Sequence, residues 1–185
     1  MNGPPVAAVA ATAATGLAVP LLVASGLLVA AGLAKLVAPH DTARALRRAG
    51  LPVGPASVRV GAGAEVFIGA VGVTVGGPAA ALAVAGSYLL FAAFVGAALR
   101  RGWALATCGC FGEPDTPPTV AHVVIDLGLA GAAVAASAVG GPSPAGLVAR
   151  QPAAGLVGWV VAAVTGGLLY LVMSPRQRLI RELPR

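Results

Sequence analysis

Five apolar runs, each about as long as a bilayer's hydrocarbon core is thick, leave this chain few folds to choose from. A transmembrane helix needs about 20 consecutive, mostly apolar residues. The runs cover 16–37, 56–75, 78–99, 119–139 and 153–173, and the breaks between them are rich in Gly, Pro and Arg. Open strands leave backbone N–H and C=O groups unsatisfied in lipid, so no strand reading competes. The expected fold class is an all-α integral membrane protein: a four-helix transmembrane bundle plus a fifth, C-terminal transmembrane helix. All 185 residues form a single membrane domain, with a four-helix core over 17–139, the added helix at 153–173 and a basic tail at 174–185.

The charge content agrees. Charged residues make up 10% of the chain, against about 25% in soluble domains. The net charge of +6 and a pI near 10.7 raise nucleic acid as a partner. That reading fails because the arginines sit at the ends of apolar runs instead of forming one continuous basic face. The start, Met1-Asn2-Gly3-Pro4-Pro5, lacks the positive n-region of a signal peptide, so the first run reads as a retained anchor preceded by an interfacial Ala-rich stretch. Residues 39–58 are more polar and read as a short amphipathic surface helix ending at Gly50-Leu51-Pro52. Gly76-Gly77-Pro78 reads as a tight turn and 140–152 as a Gly/Pro/Ser loop. Gly61, Gly69, Gly72 and Gly76 recur at helical spacing in and just after the second run, which points to close helix packing.

Positive-inside counting orients the bundle. With the N-terminus outside, eleven of the twelve basic residues fall on the inner side and only Arg150 on the outer. The expected location is a bacterial inner membrane, crossed several times, with the loop after the third span in the cytoplasm.

That loop holds the only two cysteines, in Cys108-Gly109-Cys110-Phe111-Gly112. A disulfide needs Cα atoms roughly 4.4–6.8 Å apart, and Gly109 gives the backbone the freedom to bring them there. Arg100, Arg101 and the start of the fourth helix favour a thiolate. Thiol–disulfide chemistry at a membrane surface is therefore one reading; a docking turn in a non-catalytic scaffold or assembly factor is the other. No metal site is expected, since Cys-x-Cys is not a usual zinc spacing and His40 lies on a different connection. A small-solute carrier is disfavoured by the lack of broken helices or inverted repeats.

Four polar groups inside the spans or at their ends add to the candidates. Glu65 and Asp126 each lie six or seven residues below the surface, about 10 Å deep, where an acid must face the bundle interior. Lys35 closes the first span in the same leaflet, and a Lys35–Glu65 pair is the simplest way to satisfy both charges. His122 and Asp126 are four apart and share a helix face. His122 at the head of the fourth helix is a candidate base for a thiol, and Trp103 and Phe111 are candidate interfacial anchors.

In their order along the chain, Lys35, Glu65, Arg101-Gly102, Cys108 to Gly112 and His122 resemble the MauE family of methylamine-utilisation membrane proteins, relatives of the DoxX proteins. The resemblance covers roughly residues 17–139 and implies a four-helix membrane bundle. It implies a part in disulfide formation or electron transfer during maturation of periplasmic enzymes, and the redox reading of the cysteines adds a thioredoxin-like partner or client protein. By analogy with vitamin K epoxide reductase-like proteins, it also makes a quinone a candidate cofactor. Two features depart from it: Ile125-Asp126 stands where family members often carry Arg-Asn, and the fifth span lies outside the family core. The family's periplasmic clients also require thiols outside, whereas the charge count places them inside.

Overall fold

The computed structural model describes residues 6–102, 119–140 and 143–173, with side chains from Gly16 onward. Among these residues the fold is entirely helical: α1 (Val6–Val37), α2 (Pro39–Arg48), α3 (Pro55–Thr74), α4 (Gly77–Arg101), α5 (Val120–Val139), α6 (Pro144–Arg150) and α7 (Pro152–Met173). Five of them, α1, α3, α4, α5 and α7, are long and apolar enough to cross a membrane. Their outward faces carry large apolar side chains such as Phe67, Leu90, Leu156 and Val160, which is what a lipid-facing surface requires. The chain is a multi-pass α-helical membrane protein in contact with the bilayer.

Local chemistry sets the helix ends. α2 closes with a glycine cap in which Gly50, at φ +82°, donates to the Arg47 carbonyl and Leu51 donates to that of Leu46. This paired 5→2 and 6→1 bonding satisfies carbonyls that the helix end would otherwise orphan. Pro55 starts α3 at its first turn, where no N–H is needed. Gly102 and Gly140, both left-handed, end α4 and α5. The expected surface helix is thus ten residues long, with a turn over 49–54 before α3. Its Thr42, Ala43 and Ala45 face inward, while Arg44, Arg47 and Arg48 face out.

One element departs from the expected loop at 140–152. Residues Pro144–Arg150 form a helical turn pair, α6, started by Ser143, whose hydroxyl accepts from the Gly146 N–H at 3.0 Å. The Ser-Pro sequence supplies both a cap and a first-turn proline, and the composition of the flanking Gly and Pro residues masks it.

Because α2 does not cross, α3 returns antiparallel to α1, and α4 and α5 form an antiparallel hairpin. One end of the bundle carries α2, the last turn of α4 and the first turn of α5, and the other carries α6. α1 is the most buried span, packed by α3, α5 and α7. Lipid tails are as apolar as leucine, so close packing and interhelical hydrogen bonds hold such helices together instead of the hydrophobic effect. Both are present. The Tyr88 hydroxyl of α4 donates to the Ala24 carbonyl of α1 at 2.7 Å. Gly69 and Gly72 of α3 lie directly against α1: a Cβ on Gly69 would stand 2.6 Å from the Ser25 carbonyl oxygen and one on Gly72 2.4 Å from the Ser25 hydroxyl. Gly61 and Gly63, which look alike in sequence, have nothing within 4 Å.

Gly69→Ala is expected to force α1 and α3 apart and lower stability by about 1–3 kcal/mol. Gly131→Ala, at a position open to its surroundings, is expected to leave stability unchanged or slightly raised. Thermal unfolding of the purified protein in detergent, followed by helical circular dichroism, checks the pair.

Candidate functional site

The α1–α3 contact brings together two of the charged groups that the sequence places inside the membrane, Lys35 and Glu65. Gly32 is the third close-approach glycine: a Cβ there would lie 2.7 Å from the Ala62 carbonyl oxygen and 3.1 Å from the Glu65 Cβ. In a helix every side chain leans toward its own N-terminus. On antiparallel helices Lys35 therefore leans deeper into the bundle while Glu65 leans up toward α2, and they converge. Lys35 Nζ sits 2.7 Å and 2.6 Å from the two Glu65 carboxylate oxygens. Lys35 does not snorkel to the interface, the usual course for a lysine near a helix end.

The pair is well shielded. The Lys35 side chain is 7% exposed and that of Glu65 16%. Phe91 of α4 places its ring centroid 4.5 Å from Nζ, a cation–π contact that strengthens when desolvated. Tyr88 meets Phe91 edge-on at 5.9 Å, so the hydroxyl bonded to Ala24 also steadies the ring beneath the lysine. Glu65 lies six residues beyond Arg59, the exposed cation on its helix; with Arg59 at the headgroups, the carboxylate is about 9 Å below them.

A cleft of about 270 Å³ opens beside the pair. α2 contributes Thr42, Ala45 and Leu46, α3 contributes Ser57, Val58, Gly61 and Ala62, and α4 contributes Phe91 and Phe94. Its walls are almost wholly apolar, apart from the ion pair, Ser57 and Thr42.

His122 and Asp126 are both buried on the inner face of α5, in line with Leu129, Ala130 and Ala133. Thr119, the residue before α5, sets its hydroxyl 2.8 Å from His122 Nδ1. The Thr119 hydroxyl thus engages the imidazole, and it makes no side-chain cap bond to the helix backbone. His122 and Asp126 are not among the described residues lining the cleft. Arg100 and Arg101 occupy the exposed last turn of α4, where cations suit the helix dipole.

Trp103 and the whole Cys108-Gly109-Cys110-Phe111-Gly112 motif fall outside the described residues. The residues that bracket it do not: Gly102 ends α4 and Thr119 begins the approach to α5. Both lie at the α2 end of the bundle. Sequence reasoning missed Gly32, Tyr88, Phe91 and Thr42. Only Gly32 carried a signal, being one turn before Lys35 on the same face.

The fold and this site define a helical membrane protein built around a buried interhelical ion pair at the end that carries α2. The family model for methylamine utilisation protein MauE matches residues 10–139, which spans α1 to the end of α5. The chain belongs to that family. Among curated proteins and among solved structures, nothing matches it.

Breaking the pair from one side leaves a buried charge without its partner, which typically destabilises by about 3–5 kcal/mol. Lys35→Met and Glu65→Gln are each expected to lose stability on that scale, and the double variant to recover most of it. Denaturation midpoints of the four proteins in the same detergent check the coupling.

Proposed function

We propose that the protein is a membrane-embedded thiol–disulfide redox protein in which Cys108 and Cys110 cycle between dithiol and disulfide. The observation that carries this reading is the placement of the loop ends. α4 and α5 deliver Arg100, Arg101 and His122 to either side of the cysteine loop, at the end of the bundle where Lys35 and Glu65 are buried. Cations favour the thiolate, and a buried imidazole held by Thr119 is suited to take its proton.

Exchange with a thioredoxin-like partner balances without any further reagent. One thiolate attacks a sulfur of the partner disulfide, forming a mixed disulfide and releasing a partner thiolate. The second cysteine then attacks the mixed disulfide, closing Cys108–Cys110 and freeing the partner dithiol. The reverse sequence oxidises the partner. His122, Asp126 and Glu65 are the groups proposed to handle protons. Family membership supports a role in maturing proteins of methylamine utilisation. A lipid-soluble two-electron carrier, a quinone by analogy, completes the cycle by reoxidising or re-reducing the pair.

The charge distribution supports a bacterial cell membrane location with the N-terminus outside and the cysteine loop in the cytoplasm. In that orientation the pair exchanges with a cytosolic partner and links it to the membrane.

A membrane-impermeant maleimide applied to spheroplasts and to inverted vesicles, before and after reduction, tests both parts. Labelling confined to inverted vesicles and dependent on reduction is the expected result. Free thiols that label equally without reductant overturn the redox reading in favour of a scaffold, and labelling of spheroplasts reverses the topology. Cys108→Ser/Cys110→Ser is expected to abolish exchange with a dithiol substrate while leaving the unfolding temperature unchanged.

A further inference from the structure

The cleft beside Lys35 and Glu65 has the features of a ligand site, and each narrows the class of ligand. Its charges cancel, so neither a free anion nor a free cation gains from entering. Its walls are apolar, and Phe91 and Phe94 offer aromatic faces. Within it, Lys35 has a third N–H beyond the two that meet Glu65, and the carboxylate has lone pairs to spare. Thr42, a lining residue only 7% exposed, has a hydroxyl with no hydrogen-bond partner among the described residues. A buried hydroxyl left unbonded costs about 1–3 kcal/mol, which a bound acceptor or donor offsets.

Size and access narrow it further. A cavity of about 150 Å³ holds a benzene, so 270 Å³ holds a substituted single ring or a fused pair. Gly61 and Ser57, which line the cleft, are exposed on the outer side of α3, so the cleft opens outward at the membrane. A tail too long for the cleft leaves there into lipid.

The geometry points to this cleft as the binding site for the head group of a neutral, lipid-soluble quinone, with Lys35 donating to a ring carbonyl and Glu65 accepting from the hydroxyl of the reduced form. The assignment rests on the redox reading above. The electron balance closes: oxidising the Cys108 and Cys110 thiols to a disulfide releases two electrons and two protons. Reducing a quinone to its quinol takes up two of each. The Lys35–Glu65 pair is placed to pass protons to the ring oxygen without leaving a net charge in the membrane.

Gly61 provides the test, because a Cβ added there meets open space and a larger side chain extends from a wall of the cleft. Gly63, equally unencumbered but not among the lining residues, is the matched control. The protein in nanodiscs is photolabelled with an azido derivative of a short-tailed ubiquinone, with decylubiquinone as competitor, and labelled peptides are mapped by mass spectrometry. Expected is competable labelling on the α4 peptide containing Phe91 and Phe94, reduced about tenfold or more in Gly61→Leu and unchanged in Gly63→Leu. Equal labelling in the two variants, or labelling that maps instead to the groove between α1 and α7 lined by Leu22, Leu27, Trp159 and Tyr170, overturns the assignment. The same measurement on Cys108→Ser/Cys110→Ser separates the two readings. Retained Gly61-dependent labelling beside a wild-type protein whose thiols decylubiquinone fails to oxidise keeps the site and removes the redox cycle. Thiol oxidation by decylubiquinone that is indifferent to Gly61→Leu keeps the cycle and removes the site.

Discussion

The close approach of α1 and α3 is the constraint on which the rest of the structure depends. Three glycines make it, with Gly32 on one helix and Gly69 and Gly72 on the other, and each is within reach of the facing backbone or Ser25. The Lys35–Glu65 pair sits at the end of that seam and tolerates a single register. A slip of α3 by one residue turns Glu65 by about 100°, away from Lys35 and toward lipid, stranding two charges at once. Packing and electrostatics therefore select the same arrangement: the glycines permit the approach, and the charges penalise every neighbour of it.

α4 converts that seam into a site. Tyr88 ties α4 to α1 through the Ala24 carbonyl, and the same stretch of helix holds Phe91 over the lysine and Phe94 at the cleft wall. α2 lies across the α2 end with its arginines outward and its small side chains inward, so it roofs the cleft while keeping its own charges at the headgroups. α7, beyond the family match, packs on α1 through small residues, with Gly158 against Val19 and Ala162 buried. It covers a flank of α1 and supplies none of the described residues that line the cleft.

Much of this was legible in the sequence, and what was not has physical causes. The spans follow from hydropathy because lipid admits few alternatives, and the Lys35–Glu65 pairing follows because buried charges must find one another. α6 was lost because a seven-residue helix has no periodicity to read, and only Ser143-Pro144 marks it. The glycines mislead for a different reason. Gly61, Gly63, Gly69 and Gly72 share one helix, but their meaning depends on which of them faces α1, and that is a tertiary fact. Phe91 is in the same position: within an apolar run it is one more lipid-compatible side chain until α4 is docked and its ring meets the ammonium group. The chemistry of Cys108 and Cys110 remains a proposal drawn from their spacing, their flanking residues and the helix ends that bracket them.

On the proposed redox cycle, charge gives a reason for a thiol pair and an ion pair to share one end of the bundle. Dithiol oxidation moves protons as well as electrons, and a proton left alone in a low-dielectric medium is as costly as any other buried charge. A site that holds Lys35 and Glu65 as a pair can lend a proton and recover it while its net charge returns to zero. His122, buried at the head of α5 with the Thr119 hydroxyl on its Nδ1, is the group that the proposed cycle would use to take a proton from the thiols. The proposed cycle thus has its proton-handling groups in two positions, one at the head of α5 and one beside the cleft. The glycine seam of α1 and α3 fixes the ion pair and Thr119 fixes the His122 ring, so that these polar groups, which lipid would otherwise exclude, are tolerated because they have partners.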